Sequence, residues 1–187
     1  MPLPRFDRLP AATRAAFLAV ARAHFASEGR DGASINKIIE DTGFSKTSAY
    51  NYFDGKDDLF ETVLTDTFRR ISDVLGEWRV TDNEAALWAN FHSANERVNR
   101  FLLDNPNDRL LLQYDTTPAE PAGWLHAFFS NAVEIGLVDI TPGADLLERA
   151  TLAVLRSFDD WTLDRFPEAA SAQATVEQLL RRLWTRR

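Results

Sequence analysis

Apolar residues recur at spacings of three and four along nearly the whole chain, the period of an amphipathic helix. Phe17, Leu18, Ala21 and Phe25 share one face of a first predicted helix, which starts at Pro10 and stops at Gly29. Proline brings a helical φ and lacks the N–H that a first turn leaves unbonded, while glycine takes the left-handed conformation that ends a helix. After a loop from Arg30 to Ala33, Ser34 is placed to cap a second helix that buries Ile35, Ile38 and Ile39. Gly43 permits a tight left-handed turn, and Ser45 is placed to cap a third helix. That third helix, ending near Phe53, displays Lys46, Thr47, Ser48, Tyr50, Asn51 and Tyr52. So little apolar surface suits a polar, negatively charged partner better than a protein core.

A longer helix is predicted from Lys56 to about Val80, with Leu59, Phe60, Val63, Leu64, Phe68, Ile71 and Leu75 at helical spacing. Asp57 and Asp58 lie in its first turn, where the helix dipole favours acids. Further helices are expected at roughly 83–104, 106–115, 119–137, 143–166 and 172–185, with breaks at Pro106, Pro118, Pro121, Pro142-Gly143 and Pro167. No strand or repeat stands out. The pattern therefore predicts an all-α protein: a three-helix head over residues 1–55 and a helical body over 56–187, joined through the fourth helix without a flexible linker.

Charge sharpens the contrast between the two parts. The net charge is −7, yet residues 1–60 hold 8 basic and 8 acidic side chains, so the acidic surplus lies wholly in the body. The chain's lysines, Lys37, Lys46 and Lys56, all fall in or beside the two-helix segment. A neutral head leaves room for a local phosphate-binding face, because such contacts are screened within about 8 Å. Cysteine is absent, which excludes disulfides, thiolate metal sites and a cysteine nucleophile. The N-terminus has no apolar signal region, and the longest apolar run, near Pro121 to Val133, is shorter than the roughly 20 residues that span a bilayer. A cytoplasmic protein with no membrane partner is expected.

Two helices joined by a tight turn form a DNA reader when the second enters a major groove about 12 Å wide and the first crosses the backbone. Lys46, Thr47, Ser48 and Asn51 would then face base edges or phosphates, and Ser45 is counted with them among the DNA-contacting residues. Tyr50 and Tyr52 offer hydroxyls and ring faces, and Ser34 and Lys56 would hold phosphates on either side. From Phe17 to Phe60 the chain resembles the TetR family of bacterial transcriptional regulators. The resemblance runs through Phe17, Leu18, Ala21, Phe25, Gly29, Ser34-Ile35, Ile38, Gly43, Ser45-Lys46, Tyr50, Tyr52-Phe53, Lys56 and Asp58-Leu59-Phe60 without gaps. The chain departs from the family pattern at Arg30, where an aromatic is usual, and at Ile39, Thr47 and Ala49, which stand for alanine, glycine and leucine. Asn51 lies where histidine or tyrosine is common. The resemblance implies a body that dimerises and binds a small effector, and a repressor that the effector releases from operator DNA.

The body's residues are compatible with those roles. Leu147, Val154 and Phe158 on one predicted helix, with Val176, Leu180 and Leu183 on the last, are candidates for a four-helix dimer seam. Trp88, Phe91, His92, Tyr114, Trp124 and Phe128 are candidates to line an effector pocket. His92 and Glu96 are four apart, but no further ligand is spaced to complete a metal site, so no metal or cofactor is expected. No nucleophile–base pair, phosphate loop or paired carboxylates mark an enzyme. The alternatives are an all-helical ligand carrier or enzyme that keeps the head as a scaffold, or a ligand-independent activator.

Overall fold

The computed structural model describes residues 2–114 and 122–185. Among these, the regular elements are helices: α1 (Ala11–Gly32), α2 (Ile35–Thr42), α3 (Lys46–Ala49), α4 (Lys56–Leu75), α5 (Glu84–Asp104), α6 (Pro106–Leu111), α7 (Ala122–Glu134), α8 (Ala144–Asp164) and α9 (Gln173–Trp184). A short 3-10 turn at Glu168–Ser171 precedes α9. The expected breaks at Pro118 and Pro121 lie outside the described residues, as do the first residues of the helix expected at 119–137 and the last of that expected at 106–115.

The chain forms two compact units, and it passes between them within α4, from Arg70 to Ile71, and again from Asp104 to Asn105. The first unit is larger than the expected head of residues 1–55. It keeps α4 through Arg70 and takes in α6. The reason is burial: Leu59, Phe60, Val63 and Leu64 of α4 and Leu111 of α6 join the same core as Phe17 and Phe25 of α1. Each large apolar side chain buried there contributes roughly 2 kcal/mol.

Helix α1 is broken at Gly29, whose φ of 74° and ψ of 170° are non-helical, and the chain there turns toward α2. A side chain is strained at this position, and its Cβ would lie 2.9 Å from the Tyr114 hydroxyl, which would have to shift. His24 ties α1 to α2, with one ring nitrogen 2.7 Å from Asp41 and the other 2.8 Å from Glu28. Arg30, which stands where the family pattern has an aromatic, lies over the Phe60 ring at 5.2 Å and pairs with Asp57 at 3.1 Å. A guanidinium on a ring face recovers part of the attraction that a stacked aromatic would supply.

A buried charge cluster joins three helices of this unit. Arg22 of α1 pairs with Asp66 of α4 and, at 3.2 Å, with Asp108 of α6, while Arg70 reaches Asp108 at 3.1 Å. Arg22 and Asp108 are only 4% and 2% exposed. Burial is the larger influence on both: it lowers the Arg22 value and raises that of the Asp108 carboxyl against the pull of the two guanidiniums. Desolvation that outweighs attraction makes such a cluster a poor source of net stability, and its structural effect is to join these helices.

The second unit is built on aromatic rings. Trp88 stacks on Trp184 at 5.5 Å and Phe91 on Phe128 at 5.0 Å, with Trp78 edge-on to Phe128 at 5.1 Å. Two buried indoles have partners: Trp78 donates to Asn131 at 3.0 Å and Trp184 to Thr151 at 2.8 Å. Helix α8 packs along α9, and α5 contacts α7 and α9. Helix α4 ends at Leu75, five residues short of the expected Val80, because Gly76 takes a φ of 71° and the helix terminates there.

Candidate nucleic-acid interface

The turn between α2 and α3 forms as its local chemistry dictates. Gly43 has φ 73° and ψ 8°, and its N–H donates to the Glu40 carbonyl at 3.0 Å. Ser45 caps α3, accepting from the Ser48 N–H at 3.1 Å, and the two hydroxyls lie 2.8 Å apart. Ser34 occupies the N-cap of α2 but makes no side-chain cap bond, contrary to expectation, so its exposed hydroxyl stays outside the helix hydrogen bonding. Regular α geometry stops at Ala49, short of the expected end near Phe53, and tighter turns carry the chain on: Asn51 N–H to Ser48 and Tyr52 N–H to Ala49 at 3.1 and 2.9 Å. Ala49 and Phe53 are buried and hold this segment to the core. Ile39, larger than the family's alanine, is buried on α2, the helix packed against α3.

That seating leaves Lys46, Thr47, Tyr50 and Asn51 exposed on one short segment, with Tyr50 50% exposed. A buried tyrosine is worth its area; a half-exposed one beside a lysine and an amide offers a ring and a hydroxyl to a partner. Tyr52 departs from the expected picture. It is half-buried, 6.0 Å from both Phe6 and Phe44, and its ring belongs largely to the core. Lys56 is engaged as well, its ammonium donating to the Asp31 carbonyl at 2.8 Å.

Of the expected pocket residues, Trp88, Phe91, His92, Trp124 and Phe128 lie in the second unit and Tyr114 in the first. Trp88, Phe91 and Phe128 are buried in the ring cluster, with Trp124 half-buried against Phe128 at 5.8 Å. His92 pairs with Glu177 at 2.9 Å. Tyr114 belongs to the other unit, edge-on to Phe60 at 5.3 Å, because α6 packs against α1. A groove of about 580 Å³ in the second unit is lined by Asp73, Glu77, Arg79, Asn90 and Arg97, with Val74 and Trp78 beside them. Of the expected seam residues, Leu147, Val176 and Leu180 are buried in the chain's own core, whereas Val154, Phe158 and Leu183 are partly exposed. The large apolar side chains that α8 and α9 expose are Leu146, Trp161 and Leu179, at 58%, 40% and 43%. No group of three His, Asp or Glu side chains suited to a metal occurs among the described residues, and none of the helices searched is long and apolar enough to cross a membrane.

Helical units with a short, capped, polar helix presented after a glycine turn define a helix-turn-helix protein. Residues 17–63 match the model of the bacterial regulatory proteins of the tetR family. The HTH-type transcriptional repressor AcnR of Corynebacterium glutamicum is 23% identical over 180 residues, which span 91% of this chain and 88% of that protein. A tetR family regulator from Shewanella sp. PV-4 has the same fold, with a TM-score of 0.67 at 16% identity, covering 94% of this chain and 99% of that one. A second, from Chloroflexus aurantiacus J-10-FL, superposes with a TM-score of 0.58 at 20% identity over 98% and 96% of the two chains. The chain thus carries a helix-turn-helix head that matches the tetR family model over residues 17–63, and it shares its fold with tetR family regulators.

Proposed function

We propose that the protein is a homodimeric repressor that holds operator DNA through Lys46, Thr47, Tyr50 and Asn51 and leaves it when a small molecule binds the body. The observation that carries the DNA-reading part is the exposure of these four side chains on a segment whose apolar residues, Ala49 and Phe53, are seated in the core. Ser48 and the free Ser34 hydroxyl are further phosphate contacts. Lys56 joins them only by leaving the Asp31 carbonyl. One segment of this length makes too few contacts for useful specificity, and two copies reading half-sites roughly 34–36 Å apart supply enough. The second copy would cover Leu146, Trp161 and Leu179, with Val154, Phe158 and Leu183 beside them, rather than Leu147, Val176 or Leu180. Repression is the sign of regulation in the relative AcnR, by its name.

Support for a ligand comes from Trp88. Its indole N–H is buried without a hydrogen-bond partner among the described residues, unlike those of Trp78 and Trp184. Leaving such a donor unmatched costs about 1–3 kcal/mol, which a ligand with an acceptor group would recover. Ligand binding and DNA binding must then weaken each other by the same factor. The test is to select bound fragments from random duplexes, then screen compounds for release of the winning fragment. A compound that binds tightly yet leaves DNA affinity unchanged would refute the release mechanism; failure of the protein to enrich any fragment would refute the reader.

A further inference from the structure

The segment before α1 is held in place by specific contacts, although it precedes the residues that match the family. Phe6 is buried 4.7 Å from Phe53, 5.9 Å from Phe17 and 6.0 Å from Tyr52. The Leu3 N–H donates to the Tyr52 carbonyl at 2.8 Å, at the end of the recognition segment. Turns from Phe6 N–H to Leu3 and from Leu9 N–H to Phe6, at 2.9 and 3.1 Å, shape the chain between them. Arg14 of α1 donates to the Leu9 carbonyl at 3.0 Å and also to that of Asp7. Pro2, Pro4 and Pro10 restrict the backbone further. The result is a groove of about 580 Å³ lined by Leu3, Pro4, Arg5, Arg8, Tyr50 and Asn51.

The basic side chains of the head differ in whether they have partners. Arg14 bonds backbone carbonyls, Arg22 is buried on two carboxylates, Arg30 pairs with Asp57, and Lys56 bonds the Asp31 carbonyl. The remaining four, Arg5, Arg8, Lys37 and Lys46, have no carboxylate or hydrogen-bond partner among the described residues. Two of these four are on the arm, opened toward the same groove as two exposed residues of the recognition segment. Over residues 1–60, which carry no net charge, half of the uncommitted positive charge is thus carried by residues outside the helix-turn-helix. The arm's one acid, Asp7, leaves it net positive.

We infer that the N-terminal arm is part of the DNA interface, and that Arg5 and Arg8 grip backbone phosphates flanking the half-site read by Tyr50 and Asn51. This rests on the DNA-reading function proposed above. Contacts of this kind set position and register and are independent of base sequence. Each phosphate neutralised steepens the salt dependence of binding by about 0.9 in log K against log salt, so removal of both arginines should flatten it by about 1.8 for each arm engaged. Through counterion release alone, one arm amounts to about 60-fold in affinity at 0.1 M salt.

The test measures binding of the full chain to a selected duplex and to an unrelated one, by fluorescence anisotropy across a salt series, for wild type, the Arg5→Ala/Arg8→Ala pair and the Arg5→Lys/Arg8→Lys pair. The alanine pair should lose affinity for both duplexes and flatten the slope, and the lysine pair should restore it, since charge suffices for a phosphate. Both residues are exposed, and an unchanged thermal transition checks that the fold survives. Wild-type binding with an unaltered slope in the alanine pair overturns the arm but not the reader. Loss confined to the selected duplex, unrescued by lysine, overturns phosphate contact in favour of base reading. Absence of wild-type binding to any duplex overturns the reader and the arm with it.

Discussion

Replacing Gly29 with alanine should cost about 3 kcal/mol, and the structure separates that cost into two parts. The backbone there has φ 74° and ψ 170°, a region that is essentially glycine's alone, and strain of this kind costs about 1–3 kcal/mol. The new Cβ also meets the Tyr114 hydroxyl at 2.9 Å, so Tyr114 must move from its edge contact with Phe60. Disturbing such a ring pair costs about 1 kcal/mol. In urea, with a slope of about 2 kcal/mol per molar, the midpoint should fall by about 1.5 M. The readout can be made local, because all five tryptophans lie in the other unit. Helical circular dichroism should therefore shift more than tryptophan emission. In a Tyr114→Phe background the steric part should vanish and the strain remain, lowering the cost to about 2 kcal/mol. An unchanged midpoint for Gly29→Ala would show that the bend after α1 is not held as described, and a full cost in the Tyr114→Phe background would clear the Tyr114 hydroxyl of any clash.

Three further outcomes are expected. Ser45→Ala removes the cap of α3 and should destabilise the first unit by about 1 kcal/mol while weakening DNA binding; denaturation and binding titrations that both match wild type would show the cap to be idle. Leu179→Asp should leave a folded monomer by analytical ultracentrifugation, whereas Leu180→Asp should fail to fold because Leu180 is fully buried; a dimeric, folded Leu179→Asp protein would move the seam elsewhere. Tyr50→Ala should weaken binding to the selected duplex without changing the thermal transition, since Tyr50 is half-exposed, and a gel-shift titration at fixed salt identical to wild type would remove it from the interface.

The parts of the site that were legible in the sequence are those decided by neighbours in the chain. Gly43 turns and Ser45 caps because the left-handed conformation and the i to i+3 side-chain bond are local. Ser34 shows the limit of that reasoning: the residue type and position are right for a cap, yet its hydroxyl makes no cap bond. Arg30 was legible only as a departure from the family pattern, because the Phe60 face and the Asp57 carboxylate that receive it lie a helix away. The arm was open to detection in principle: Phe6 between prolines, followed by Pro10, is an apolar anchor on a stiff segment. What it anchors to, Phe53 and Tyr52, required the fold.

The sequence by itself determined that this chain is helical, where most helices start and stop, and which segment is too polar for a core, since periodicity, caps and glycine turns act over one or two turns of chain. Which apolar face meets the chain's own core and which stays exposed was decided only in three dimensions. Leu179 and Leu180 are adjacent in sequence, but helical geometry points one outward and the other inward, and only the helices packed around α9 say which. The same holds for Tyr114, which spacing grouped with the body's rings and packing gave to Gly29 and Phe60. Burial depends on neighbours distant in the chain, and those neighbours are a property of the assembled fold.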